Sequence, residues 1–227
     1  MDVFNIIKII ASIITLIFAF IAGYIELHKN PDYWLNRWFA IVFISWAFGT
    51  LAYTIYHIQT LEPYFIIPIM LMAQFLYNFA IVSFLMTVFI LEKSEKLAMT
   101  TKYLGIVVVL YIISIFGYFI WTPTLNMERY RQGIVDTETP LGWFLFVNVW
   151  RLALLVFVLY KYAIIAKSTQ GVPRQQVLWF FAGSSIIIVG LLFNLIGGIL
   201  GSIIVEILGM ITFNIGIAFI VKGFLIK

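Results

Sequence analysis

The chain has no cysteine. Disulfides, thiolate metal sites and thiol nucleophiles are therefore excluded together. Histidine is nearly as scarce. His28 closes the first apolar segment and His57 lies at the far end of the second. A bis-histidine haem needs both imidazoles at one depth, so this pair does not supply one. Charge is sparse as well, with 11% charged residues against 63% apolar ones, a balance no soluble domain of this length carries on its surface. Paired carboxylates placed for acid–base work, a Ser/His dyad, a metal-spaced histidine cluster and a phosphate-cradling glycine loop are all missing. A retinal Schiff base would need a lysine deep in the last apolar segment, but Lys222 sits at that segment's end. The reading is of a protein that is not an enzyme and has no resident metal or cofactor.

What the chain does have is seven long apolar stretches, at residues 3–27, 38–60, 64–91, 103–121, 143–166, 177–200 and 203–225. A helix rises about 1.5 Å per residue, so roughly 20 apolar residues cross the hydrocarbon layer. Lipid cannot satisfy bare backbone amides, and the strands of a membrane barrel would alternate polar with apolar residues, which these do not. The first stretch is too long for a signal-peptide core and lacks a small-x-small cleavage site, so it should remain as a span. The expected fold is a single all-α integral membrane domain of seven transmembrane helices over residues 1–227.

The cations give an orientation. Lys29, Arg37, Lys93, Lys96, Lys102, Lys161, Lys167, Arg174, Lys222 and Lys227 fall on one side, which the positive-inside rule makes cytoplasmic. The other side has Lys8, and a long loop where Glu128, Asp136 and Glu138 accompany Arg129 and Arg131. The N-terminus is expected outside and the C-terminus inside, in a multi-pass protein of the plasma membrane with the lipid bilayer as its obligatory partner. The scattered cations form no stripe for nucleic acid. Tyr64, Trp121 and Trp143 should mark the outer boundary, and Trp34, Trp38, Tyr103, Tyr162 and Trp179 the inner one.

Loops are short except residues 122–141, whose Pro, Gly, Asp and Thr content reads as an exposed hairpin or cap. Gly183, Gly190 and Gly197 recur at heptad spacing, allowing close helix approach, either within the chain or at a homodimer seam. Superposing the first three spans on the last three gives a faint match, read either as a 3+1+3 parallel repeat with the fourth span as linker or as chance in an Ile- and Phe-rich chain. Its matches include Arg37 with Arg174, His57 with Asn194, and Tyr77-Asn78 with Phe213-Asn214.

Ionisable groups inside lipid cost about 2.5–3.5 kcal/mol each near the helix centre, so each retained one needs a partner or a task. Arg151 lies deep in the fifth span, and Glu206 enters from the seventh on the same side. The two are expected to meet, as a structural ion pair or as a pair that contacts ligand. Lys8 is close enough to the surface to snorkel. Asn148 lies one turn from Arg151, Asn194 near the outer end of span six, and Gln74 and Asn78 share a helix face. With His57 and Asn214, these residues either line an outward-facing polar pocket or tie the helices together. Such a pocket would favour an anionic or carbonyl-bearing small ligand.

The stretch Leu35-Asn36-Arg37-Trp38-Phe39 leading to Trp46, and Pro173-Arg174-Gln175-Gln176 entering span six, resemble the seven-transmembrane sensor region at the N-terminus of some prokaryotic histidine kinases. The resemblance implies a membrane receptor that passes a signal to a cytoplasmic output module. The chain departs from that family after Phe224-Leu225-Ile226-Lys227, with no dimerisation helix, phosphoacceptor histidine or ATP-binding domain. It is then a stand-alone sensor acting through a partner, or a piece of a longer protein. That partner, or anionic lipid headgroups, would dock on Lys167, Arg174 and the tail Lys222 to Lys227. The competing class is a small-solute carrier built from two parallel three-helix repeats, with Asn78 and Asn214 as its symmetric midplane pair, although neither half has the Pro-Gln motif of such carriers. A structural or assembly subunit ranks third.

Overall fold

The computed structural model describes residues 2–58 and 61–226. The protein is an all-α, multi-pass membrane protein in which, among the described residues, seven helices are long and apolar enough to cross a bilayer. These are α1 (Val3–Lys29), α2 (Trp34–Tyr56), α3 (Pro63–Lys93), α5 (Thr101–Ile120), α7 (Leu141–Ser168), α8 (Gly171–Leu200) and α9 (Ile203–Leu225). A one-turn helix α4 (Glu95–Ala98) joins α3 to α5. Between α5 and α7, strands β1 (Thr124–Leu125) and β2 (Thr137–Glu138) flank helix α6 (Met127–Arg131). Because the spans are odd in number, the termini lie on opposite faces, called here the N-terminal and C-terminal faces.

Two helix starts lie more than two residues from the hydropathy reading. Helix α2 starts at Trp34 rather than at residue 38, because polar Asn36 is satisfied within the helix pair: its Nδ2 donates to the Glu26 carbonyl at 3.0 Å. The expected end of that span, Thr60, lies outside the described residues, as does Lys227. Helix α8 starts at Gly171 rather than at 177, with Pro173 in its first turn, where a missing N–H costs nothing, and Gln176 Nε2 donating 2.9 Å to the Ile226 carbonyl. Hydropathy registers where lipid begins, and helices continue past that point when their polar residues find partners.

Around the bundle α1 packs on α2, α2 on α3, α3 on α7, α7 on α8, α8 on α9, and α9 on α1. Six helices thus form a ring, and α5 lies outside it, mainly against α3, with Val108, Val109, Ile112 and Phe116 exposed. The order of neighbours is the same in both halves, as a 3+1+3 repeat requires.

The seam between α8 and α9 is built on glycine. A Cβ on Gly183 would stand 2.5 Å from the Gly216 carbonyl oxygen, and one on Gly190 would stand 2.8 Å from that of Gly209. The heptad spacing on α8 is therefore matched by α9 within the same chain. The homodimer seam considered for these glycines is already occupied.

In the C-terminal half the ring is filled by Phe39, Phe43, Phe84, Tyr162, Phe180 and Phe224, with ring centroids 4.6 to 6.5 Å apart, many of them edge to face. Tyr162, expected at the inner membrane boundary, is instead part of this core, its hydroxyl donating 2.8 Å to Thr87 Oγ1. Trp38 and Trp143 are likewise buried among the helices, whereas Tyr64 and Trp121 are exposed near the N-terminal face. Tyr162→Phe should lower the stability of the detergent-solubilised protein by about 1 kcal/mol, the net worth of a buried hydrogen bond. Tyr64→Phe should leave the unfolding midpoint unchanged.

The loop at residues 122–141 is a pinned cap. Thr124 pairs with Glu138 and Leu125 with Thr137. Arg129 bridges to Asp136 at 2.9 Å, and Val135 is buried against Ile66 and Met70. Tyr130 Oη donates 2.7 Å to the Leu61 carbonyl.

Candidate functional site

Arg151 sits ten residues beyond Leu141, about 15 Å along α7 at helical rise, and is buried. Two residues one turn apart on α3 hold its guanidinium: Nε donates 2.7 Å to Asn78 Oδ1, and Nη2 donates 2.7 Å to Gln74 Oε1. Both amides are themselves fixed by α5. Asn78 Nδ2 donates 3.1 Å to the Ser114 carbonyl, and Tyr118 Oη donates 3.2 Å to the same Gln74 oxygen. The i, i+4 spacing of Gln74 and Asn78 thus becomes a fork that aims one arginine.

Glu206 is not part of this arrangement. Its Oε2 accepts from Lys8 Nζ at 2.7 Å, which corrects both the expected Arg151–Glu206 contact and the expectation that Lys8 snorkels to the surface. The physical reason lies in the ring. Helix α9 closes against α1, so the partner at Glu206's depth is on α1, whereas Arg151 faces α3. The Lys8 side chain is only 9% exposed, and the cap is tied to the start of α1 beside it, the Gly133 carbonyl accepting from the Asp2 amide.

Between these clusters lies a cavity of about 660 Å³ whose wall includes Lys8, His57, Gln74, Asn148, Arg151, Asn194 and Glu206, with Arg129, Asp136 and Glu138 of the cap at its mouth. It opens toward the N-terminal face. A smaller chamber of about 150 Å³ adjoins it, with Thr50, Trp46, Tyr77 and Phe213 in its wall. Tyr53, Gln74, Asn148, Arg151 and Asn194 line both, so the arginine stands where the two meet.

Six of the eight candidate residues therefore lie on the cavity wall. His57 is buried there, with Nδ1 donating 2.9 Å to the Tyr53 carbonyl and its own carbonyl accepting from Asn5 Nδ2 at 2.8 Å. Asn148 Nδ2 donates to the Phe144 carbonyl at 2.8 Å, leaving its oxygen on the cavity side. The other two candidates sit off the wall. Asn78 is behind Arg151, and Asn214 is tied to α1, donating 3.0 Å to the Ala11 carbonyl and accepting from Thr15 Oγ1. As a symmetric midplane pair facing one substrate, they are not placed.

Sequence reasoning missed Lys8 as a buried group, and missed the aromatic floor of Trp46, Tyr77 and Phe213. A usable signal existed for Lys8. It lies in the second turn of the first helix and Glu206 in the first turn of the last, and first and last helices touch in any closed ring. Among the described residues no three His, Asp or Glu side chains gather as a metal site.

The charges on the wall are unevenly compensated. Lys8 has Glu206, Arg129 has Asp136, and Glu138 accepts 2.8 Å from Asn126 Nδ2. Among the described residues no carboxylate lies within salt-bridge distance of Arg151. Its neighbours are neutral: the Asn78 and Gln74 amide oxygens, with the Tyr118 hydroxyl beside them.

Comparison with family models, with curated protein sequences and with solved structures finds no significant match to this chain.

Proposed function

We propose that this protein is a receptor-like sensor of the plasma membrane, with its N-terminal face outside, that admits a small ligand to the capped cavity and signals through a cytoplasmic partner. The observation that carries this reading is the division of the bundle into two unlike halves. The half toward the N-terminal face holds a polar cavity, and the half toward the C-terminal face is packed with interlocking rings. A sensor needs an occupiable site on one side and a cohesive body that transmits small helix displacements to the other. The C-terminal face carries Lys93, Lys96, Lys102, Lys167 and Arg174 at helix ends, a basic surface for an acidic partner or anionic headgroups. The resemblance of the Arg37 and Arg174 junctions to histidine-kinase sensor regions points the same way.

The carrier reading draws support from the matching neighbour order of the two halves. The engagement of Asn78 and Asn214 in separate interhelical bonds weighs against it. Uptake of sugars, amino acids and carboxylates into proteoliposomes, run beside affinity capture of cytoplasmic proteins, separates the two. The sensor reading expects no uptake and a specific partner that is lost when Lys167 and Arg174 are neutralised. Saturable uptake that disappears in Asn78→Leu and Asn214→Leu variants would overturn it.

A further inference from the structure

We infer that the cavity floor binds a small organic monoanion, a carboxylate held by Arg151 whose apolar portion, about one ring in size, occupies the chamber beside Trp46 and Phe213. The inference rests on the sensor reading, in that it names the ligand class of that same cavity.

A guanidinium withdrawn from water is costly unless a counter-charge accompanies it, and neutral acceptors offset only part of that cost. Arg151 is 9% exposed and has two amide oxygens but no carboxylate partner among the described residues. Nε and one Nη2 hydrogen are spent on Asn78 and Gln74, and the Tyr118 hydroxyl lies beside the group; among the described residues Nη1 has no amide or carboxylate acceptor of its own, although Arg151 borders both parts of the cavity. An unspent, oriented edge of a planar donor is the group that a carboxylate engages side-on. Gln74 reinforces it: its oxygen accepts from both Arg151 and Tyr118, and the residue lines both parts of the cavity with an amide nitrogen that has no acceptor among the described residues. Asn194, on the neighbouring helix α8, adds a further amide that makes no side-chain hydrogen bond among the described residues.

The carboxylates around this space do not compete. Glu206, Asp136 and Glu138 each accept from a donor of their own, at 2.7, 2.9 and 2.8 Å. Two cation–carboxylate pairs are closed, which leaves Arg151 at the floor and Glu138 in the cap with neutral partners only, so the floor itself offers one positive charge, which matches one negative charge and not two. Below it, Trp46 and Phe213 lie with ring centroids 4.5 Å apart and planes tilted by 40°, an apolar corner beside Thr50. A chamber of about 150 Å³ is the size that accepts a benzene-sized group. Charge at the boundary and aromatic surface beneath it describe an aryl or short acyl carboxylate.

The test is titration of the full chain in nanodiscs with benzoate, its neutral isostere benzamide, and inorganic phosphate, read by calorimetry and thermal shift. Charge-assisted hydrogen bonds are worth about 1.5–3 kcal/mol, so benzoate should bind about tenfold to a hundredfold more tightly than benzamide. Phosphate should bind more weakly than benzoate. Arg151→Lys should keep the preference for benzoate over benzamide, and Arg151→Gln should abolish it. Equal binding of benzoate and benzamide to the unmodified protein, or phosphate as the tighter ligand, would overturn the inference without recourse to any variant. The ligand class and the sensor reading fail separately. No benzoate binding, beside an intact partner response, removes the class alone. Benzoate binding followed by benzoate uptake into proteoliposomes supports the class and removes the sensor.

Discussion

Gly190→Val is expected to leave little folded protein, with a loss of about 3 kcal/mol or more in reversible unfolding. Without a hydrophobic drive between helices in lipid, association rests on close packing, and small residues permit it. The Cβ of any side chain at 190 meets backbone, the Gly209 carbonyl at 2.8 Å and the Phe213 amide at 3.0 Å, so no rotamer change relieves it and α8 must move off α9. That displacement would also part Gly183 from Gly216 one heptad away. Gly105→Ala is the contrasting case. Its Cβ meets nothing within 4 Å, so relief of glycine's entropy cost in helix α5 should stabilise by about 0.5 kcal/mol. Midpoints of chemical unfolding in mixed micelles, measured for both variants, check the pair.

The second large effect concerns the Lys8–Glu206 pair and is asymmetric. Both border the cavity, but the Lys8 side chain is 9% exposed whereas that of Glu206 is 26% exposed. Glu206→Gln strands a buried ammonium and should cost about 3 kcal/mol, the range for breaking a buried pair from one side. Lys8→Met strands a carboxylate that keeps cavity water, and should cost less than half as much. The Lys8→Met/Glu206→Leu double variant removes both desolvation penalties and should recover most of the loss. A cycle in which the two single variants are equally damaging, or in which the double variant is as unstable as Glu206→Gln, contradicts this account.

The extent to which the sequence foretold these features follows from what hydropathy encodes. The seven spans were legible because a bilayer sets both a minimum apolar length and an obligation to form helix. Depth was legible for the same reason, which is why Arg151, Asn148, Asn194, Gln74, His57 and Glu206 all fall on one cavity wall. Azimuth was not. Whether Arg151 meets Glu206 or the fork of Gln74 and Asn78 depends on which helices are neighbours in the ring, and an apolar helix with lipid on one side and protein on the other shows little periodic asymmetry. Trp46 and Phe213 were silent for a related reason, since an aromatic residue facing a chamber reads the same as one facing lipid. Polar residues gave no warning where they extend helices beyond the hydrocarbon, as Asn36 does in α2 and Gln176 in α8.

The absence of cysteine allows the central claim, a cavity reached from the N-terminal face and sealed from the other, to be tested directly by single-cysteine accessibility. Asn194→Cys places a thiol on the cavity wall, and Phe84→Cys places one within the aromatic packing. In oriented, sealed vesicles treated with a membrane-impermeant thiol reagent, the account predicts labelling of the Asn194→Cys variant from the N-terminal face alone, and no labelling of Phe84→Cys from either face. Labelling of Asn194→Cys from the C-terminal face would show that the cavity opens to both sides in turn and would contradict it.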